Sequence, residues 1–413
     1  MIAWEPSQAE SHSKSRSPHI LVGITHAQTC LNLTGRLRAL RDAGFQVTLV
    51  ASSGELVDRL AASEGVTAIT LHMERSIAPF RDVVSLVRLW DLLRRLQPDL
   101  TEFSTPKAGL LGNIAGWLTG VPRRVYMLRG LKLSRSAGIK HRILLAAERL
   151  ASACAHVVLC NSASLRDEAL ELGVAPENKL RLLGQGSSNG VDVERFSPGE
   201  SNVRVELGID ESGPVVGFVG RFTLDKGLPE LIEAFDAILH AEPDAHLLLV
   251  GWFDRAEDAL NPGLRTRIER HPRICCTGFV SDTAPYYRAM EVMVLPTWRE
   301  GFPNVVLEAA ASGIPVVTTL CTGSRDSVVP EVTGLLIPPG YPEAISEAVL
   351  KLLRNPERRR RMGEAARAWV VDHYMTAHVL GLTVNYYRTL LDRSREGDAS
   401  IEPACDDAAV TAI

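Results

Sequence analysis

Val292-Met293-Val294-Leu295-Pro296-Thr297-Trp298-Arg299-Glu300-Gly301-Phe302-Pro303-Asn304-Val305-Val306-Leu307-Glu308 joins a short apolar run to the start of an amphipathic one through a charged loop. The run 292–295 is short and wholly apolar, the composition of a strand covered on both faces. Pro303 suits the first turn of a helix, since its ring fixes φ and the amide it lacks would have no partner there. The stretch therefore reads as a strand, a loop at its carboxyl end and a helix start. Repeated, that unit builds a parallel sheet with crossover helices.

The unit recurs in both directions. In the second half, strands are expected at 214–219, 246–250, 273–277, 315–318 and 334–337; in the first half, at 19–25, 45–51, 66–71, 99–103, 124–128, 156–160 and 179–183. Helical periodicity fills the gaps, most plainly over 80–97, where Val83, Val84, Leu86, Val87, Trp90, Leu93 and Leu96 recur between arginines. Trp90 and Trp117 are assigned to the core. A chain of 413 residues, 46% of them hydrophobic, is too long for one ordinary core. Turn-formers at 184–192 and 197–199 mark the boundary, and helices are expected at 342–353, 356–372 and about 376–392. The expected fold class is α/β, two facing Rossmann-like doubly wound domains over 19–195 and 196–370 with a deep cleft between them. The helix 371–392 is expected to pack back on the first domain, and the polar ends 1–18 and 393–413 to be disordered.

Facing doubly wound sheets place ligands at the carboxyl ends of their strands, so the loops there carry the chemistry. In the quoted loop, the amides of about Phe302 to Val305 point out of a helix N-terminus, which suits a phosphate. Glu308, a turn further in, accepts well from a neutral diol such as a ribose, and would repel a phosphate. Ala309, Ala310, Ala311 and Gly313 keep that helix slim. A second loop, Gly220-Arg221-Phe222-Thr223-Leu224-Asp225-Lys226-Gly227, offers Arg221 and Lys226 to a diphosphate leaving group, in place of a divalent cation. No His-x-His or H-E-x-x-H spacing occurs, so no metal and no other cofactor is expected.

Composition narrows the classes further. No apolar stretch approaches the roughly 20 residues that span a bilayer, and the polar N-terminal segment has no apolar core of a signal peptide. Seven cysteines without a C-x-x-C pair are expected to be buried thiols in a reducing, cytoplasmic compartment. The net charge of −4 hides an asymmetry: residues 1–196 hold 24 Lys and Arg against 18 Asp and Glu, and residues 197–413 hold 21 against 31. Residues 122–147 contain seven bases (Arg123, Arg124, Arg129, Lys132, Arg135, Lys140, Arg142) and no acid. Such a run wants an anionic partner, although nucleic acid is disfavoured by the net charge and by the absence of an aromatic-basic module.

Gly220-Arg221 with Lys226-Gly227, the Glu300-x7-Glu308 spacing, Gly278-Phe279-Val280, Gly313-Ile314-Pro315-Val316-Val317 and Gly334-Leu335-Leu336, in that architecture, resemble the retaining glycosyltransferases of family 4 over about residues 19–390. The resemblance implies a GT-B fold and a nucleotide-sugar donor, UDP-linked by default and with GDP open. It implies that Arg221 and Lys226 contact the diphosphate, Glu308 the ribose, Phe279 and Val280 the base. Glu300, with the amides of Gly301, Phe302 and Asn304 around Pro303, addresses the sugar in a positioning and electrostatic role.

Residues 104–112, 128–131 and 186–192 resemble the bacterial surface-polysaccharide subgroup, whose members commonly extend a saccharide carried on a polyprenyl diphosphate. A saccharide acceptor, lipid-linked, is then expected against His26, Lys107, Arg129 and Lys132, with the basic run meeting the anionic cytoplasmic leaflet. Asn189 and Asp192 are expected to be turn-formers at the hinge. The loop Thr25-His26-Ala27-Gln28-Thr29 departs from the paired glycines of many relatives. Two rival readings share the architecture: a nucleotide-sugar 2-epimerase, which needs no acceptor, and a non-catalytic sugar-nucleotide-binding subunit.

Overall fold

The computed structural model describes residues 16–25, 29–30, 33–74, 78–131, 138–210, 213–254 and 259–395; of the segments 1–18 and 393–413, all but 16–18 and 393–395 lie outside these. Seven strands, β1 (His19–Gly23), β2 (Gln46–Ala51), β3 (Thr67–Thr70), β4 (Leu100–Ser104), β5 (Arg123–Leu128), β6 (Val157–Cys160) and β7 (Leu180–Leu182), form a sheet in the order 3-2-1-4-5-6-7. Six more, β8 (Val215–Val219), β9 (His246–Val250), β10 (Ile274–Cys276), β11 (Val292–Leu295), β12 (Val316–Thr319) and β13 (Gly334–Ile337), form a second sheet in the order 10-9-8-11-12-13. Neighbours pair in parallel in both. Strand order reverses between β1 and β4 and between β8 and β11, and at such a reversal the loops diverge and leave a crevice. Every expected strand is present, its ends displaced by at most two residues.

Alternation along the strands sorts the first domain's core into two layers. Ile20 and Val22 of β1 face one side, and Leu21 faces the other, against the helices Pro79–Leu96 and Pro106–Leu118. The helix Thr376–Arg395 completes the first layer, burying Tyr387, Leu390 and Leu391 there; each large apolar side chain so buried contributes about 1.5–3 kcal/mol. The chain thus crosses between domains twice, and the crossings are stitched together. Val191 N donates to Tyr374 O at 2.8 Å and Thr376 N donates to Val191 O at 3.0 Å. Asp192 closes the adjoining turn by accepting from the amides of Glu194 and Arg195.

One of the two core assignments changes: Trp90 packs, half-buried, against the first domain's core, but Trp117 does not. Trp117 is 59% exposed, at the last turn of its helix. The helix Pro79–Leu96 buries Ser85, Leu89 and Leu93, while Phe80 (91% exposed), Val83, Val84 and Val87 form a second apolar stripe facing outward. The apolar residues of this helix therefore serve two faces, which a single periodicity merges. Among the cysteines, Cys30, Cys154 and Cys160 are buried, Cys275 and Cys321 half-buried, and Cys276 exposed on the edge strand β10; Cys405 lies outside the described residues.

Behind β5, the Tyr126 hydroxyl donates to Glu148 Oε2 at 2.6 Å. Burial pushes the Glu148 carboxyl up to about 7, with the Tyr126 hydrogen bond opposing. A folded-state value above the ordinary 4.5 means that the fold favours the protonated acid: its contribution is whole below about pH 4.5 and is lost as pH rises through about 7. Glu148→Gln is expected to exceed the parent in stability at pH 8 by on the order of 3 kcal/mol, with little difference at pH 4, as read by urea unfolding. Equal differences at both pH values contradict this.

Candidate functional site

The carboxyl ends of the two sheets meet across a cavity of about 260 Å³. Thr105 and Pro106 after β4, and Arg129, Gly130 and Leu131 after β5, line it from the first domain; Arg221, Asp225 and Lys226 after β8, and Arg299, Glu300 and Gly301 after β11, line it from the second. Both reversals of strand order thus supply loops to one cavity. The walls touch at Gly301, where a Cβ would overlap the Arg129 carbonyl oxygen, so the approach requires glycine. Thr105 adopts φ +74° at the head of its helix, a left-handed conformation unusual for a β-branched residue.

The second-domain wall is a lattice of paired charges. Lys226 forms an ion pair with Glu300, Arg221 with Asp254 at 2.6 Å and Arg299 with Asp225 at 3.1 Å. Burial pushes the Asp225 carboxyl up, but the Thr223 hydroxyl and the neighbouring cations outweigh it and hold it below the usual range. The turn Leu224–Lys226 ends at Gly227, at φ +71°, and a side chain there would strike the Pro296 carbonyl; this packs the two loops together. Phe302 is buried beneath the loop. The following helix runs Asn304–Ala311 with Pro303 as its N-cap residue, one position later than the sequence suggested, and its first amides have no partner within the helix.

Glu308 lies one turn into that helix. Its Oε2 accepts from the Tyr287 hydroxyl at 2.8 Å and from Thr283 Oγ1 at 3.4 Å; burial pushes its carboxyl up, and the tyrosine bond opposes the rise. Phe279 is 61% exposed and meets Trp252 edge-on at 5.5 Å, while Val280 packs against the domain core. Glu308, Phe279 and Val280 stand outside the cavity lining, as does Gly220 at the end of β8. The second domain so presents three cations and two carboxylates in the cavity, and outside its lining a tethered carboxylate, Glu308, and an exposed aromatic ring, Phe279.

On the first-domain wall the expected residues separate. Arg129 lines the cavity. Lys107 does not; it pairs with Asp82 of the preceding helix at 2.6 Å. His26 and Lys132 lie outside the described residues, as does Arg135. The basic run is not one surface. Arg123, at the start of β5, donates to the Leu390 carbonyl, and Arg124 to the Cys154 and Val121 carbonyls, whereas Arg129 stands at the opposite end of the strand and Lys140 and Arg142 on the exposed turns of the helix Gly138–Cys154. A strand of six residues and its flanking loops separate charges that are adjacent in sequence.

Several participants carried no sequence signal of their own: Thr29, Thr105 and Tyr126 in the lining, Asp254 beside Arg221, and Tyr287 beside Glu308. Asp225 and Arg299 lay within the two loops singled out, and a search for opposite charges between those loops would have found them.

A family model described as "Glycosyl transferase 4-like domain" matches residues 34–186, and one described as "Glycosyl transferases group 1" matches residues 213–355. The chain is 32% identical over 372 residues to a Staphylococcus aureus capsular polysaccharide biosynthesis glycosyltransferase, CapM, covering 90% of this chain and 97% of the relative. It is 28% identical over 342 residues to an Escherichia coli UDP-Gal:alpha-D-GlcNAc-diphosphoundecaprenol alpha-1,3-galactosyltransferase, covering 78% of this chain and 85% of that one. The Anabaena protein Alr3699/HepE, solved in complex with UDP, superposes with a TM-score of 0.75 at 18% identity over 90% of this chain and all of that one.

Proposed function

Because the chain belongs to glycosyltransferase family 4, with its two-domain GT-B fold, we propose that it moves a hexosyl or N-acetylhexosaminyl residue from a UDP-sugar to a polyprenyl-diphosphate-linked saccharide, with retention, in surface-polysaccharide synthesis. The observation that carries the donor half is the placement of Arg221, Lys226 and Glu300 in one cavity walled by both domains. UDP and the lipid-linked acceptor find support in the E. coli relative, whose name carries both, and in HepE, which binds UDP.

In this reading the donor diphosphate displaces Glu300 from Lys226 and Asp254 from Arg221, and the two cations bear the charge that grows as the bond from the sugar's C1 to the phosphate oxygen breaks. The acceptor hydroxyl attacks C1 from the face the diphosphate leaves, and its proton passes to the departing phosphate oxygen. No protein nucleophile is needed. Glu300, freed from Lys226, orients the sugar; Glu308 accepts from the ribose hydroxyls, and Phe279 and Val280 flank the base. Arg and Lys perform the task of a divalent cation, so transfer is independent of metal.

A thermal-shift screen tests the donor. UDP at a hundred times its Kd should stabilise the protein by about 2.7 kcal/mol, GDP markedly less, and Glu300→Gln should retain UDP binding while losing about 100-fold in kcat. Equal shifts for both nucleotides, or full turnover by the variant, contradict the assignment. Adding donor without acceptor separates transfer from epimerisation, since an epimerase consumes the sugar nucleotide alone.

The acceptor half draws on the surface beside the cavity. No helix among the described residues is long and apolar enough to cross a membrane. Phe80, Val83, Val84 and Val87 stand outward on the first turns of their helix, and Ile139 (77% exposed) and Ile143 on the first turns of the helix Gly138–Cys154, with Arg81, Lys140 and Arg142 nearby in sequence. Both helix starts follow the strand ends that face the cavity, and both helices neighbour the helix Pro106–Leu118 between them. An apolar face fringed by bases suits an interfacial contact with anionic lipid. Phe80→Asp with Ile139→Asp should lower partition onto phosphatidylglycerol vesicles at least tenfold while UDP binding stays unchanged, as read by vesicle sedimentation. Unaltered partition contradicts the contact.

A further inference from the structure

The charges of the cavity wall do not balance, and the imbalance lies at Arg129. Each lining cation of the second domain has a carboxylate: Lys226 has Glu300, Arg221 has Asp254 and Arg299 has Asp225. Arg129 has none within ion-pairing distance among the described residues. The carboxylate whose charge reaches it, Glu102 of β4, is fully buried and already accepts from Arg36 Nη2 at 2.8 Å and from the Tyr387 hydroxyl at 2.6 Å. One carboxylate thus serves two guanidiniums, with a net positive charge left over.

The hydrogen bonds agree. Arg129 Nη1 donates to Ser188 Oγ at 2.8 Å, while Nε and Nη2 are buried and have no partner among the described residues. Those two nitrogens share one edge of the guanidinium plane, the edge that grips two oxygens of one phosphate at once. A cation buried without a counter-charge, its donors unmet, is costly to the fold unless a ligand completes it. Burial, together with the charge of Arg36, also weakens the guanidinium's hold on its own proton, down to about 10, which an incoming anion would reverse.

We infer that Arg129 is the seat of a second phosphate site on the first-domain wall of the cavity, distinct from the donor cradle at Arg221 and Lys226, and that it holds a phosphate group of the acceptor. The second domain's cations are already neutralised by carboxylates that a donor diphosphate would replace one for one, whereas Arg129 adds a charge in excess of that exchange. It also stands in the domain that bears the apolar, basic-fringed face. The identity of the phosphate's owner rests on the transferase reading; the existence of the anion site does not.

The test uses the full chain and calorimetric binding of three probes, UDP, inorganic pyrophosphate and farnesyl diphosphate, the last two with UDP saturating so that the donor cradle is filled. Arg129→Met is expected to weaken farnesyl diphosphate and pyrophosphate at least tenfold and UDP less than twofold. Arg129→Lys, which keeps the charge and loses the fork, should fall between. Without ligand, Arg129→Met should melt at or above the parent temperature, since it removes an uncompensated charge; a structural ion-pair arginine would show the opposite. An equal loss of UDP affinity would assign the phosphate to the donor, and unchanged binding of all three probes, or a lowered melting temperature with binding intact, would overturn the site. If UDP fails to bind the parent protein, the donor reading falls while the pyrophosphate arm still decides whether Arg129 binds an anion.

Discussion

Lys226 and Glu300 hold each other across the gap between the loops that follow β8 and β11, with side chains only 16% and 14% exposed. Such a pair is worth little as stabilisation, because desolvating both charges costs about as much as their attraction returns. Its value lies in position. It locks two loops from either side of a strand-order reversal against each other, and keeps a cation and a carboxylate at the same point of the cavity. An anion with more charge than a carboxylate takes the lysine, and the glutamate is then free to face whatever that anion carries. Arg221 and Asp254 repeat the arrangement on the same wall. The chemistry of leaving-group departure and the positioning of the transferred group are, on the proposed mechanism, two results of one exchange.

That exchange needs both domains in place, and the architecture supplies this through its crossings. The linker strand at Val191 and the chain at Tyr374–Thr376 bond to each other, so the domains are joined by a paired hinge. The returning helix then buries Tyr387 beside Glu102 and Arg36, within electrostatic reach of Arg129. The last described helix in this way backs the first domain's wall from within its core. The two walls come into contact at Gly301, whose missing side chain leaves room for the Arg129 carbonyl.

Most of the fold was legible because parallel strands covered on both faces are continuous apolar runs bounded by turns, a signal that survives without any tertiary information. The second-domain wall was largely legible for a related reason: Arg221, Lys226 and Glu300 sit in two loops, each at a strand end and each short enough to read as a unit, whereas Asp254 follows β9 in a third. The first-domain wall was not. Glu102 lies 66 positions from Arg36 and 285 from Tyr387, and nothing local marks them as partners. Seven bases between residues 122 and 147 looked like one patch, yet a strand carries Arg123 and Arg129 to opposite ends of the sheet. The helix Pro79–Leu96 was legible as a helix, but with apolar residues on two faces, periodicity cannot say which stripe meets the core. Trp117 shows the same limit, since size and apolarity alone do not place a residue inside.

On the proposed mechanism the leaving diphosphate, borne by Arg221 and Lys226, directs attack from its own side of the sugar. The anomeric configuration of the newly formed linkage tests this most directly, read from the one-bond and vicinal proton couplings at C1 in the nuclear magnetic resonance spectrum of the first product made from an α-linked UDP-sugar. An α linkage is the expected result. A β linkage would require attack from the opposite face and a protein base to drive it, and would contradict the proposed roles of Glu300, Arg221 and Lys226.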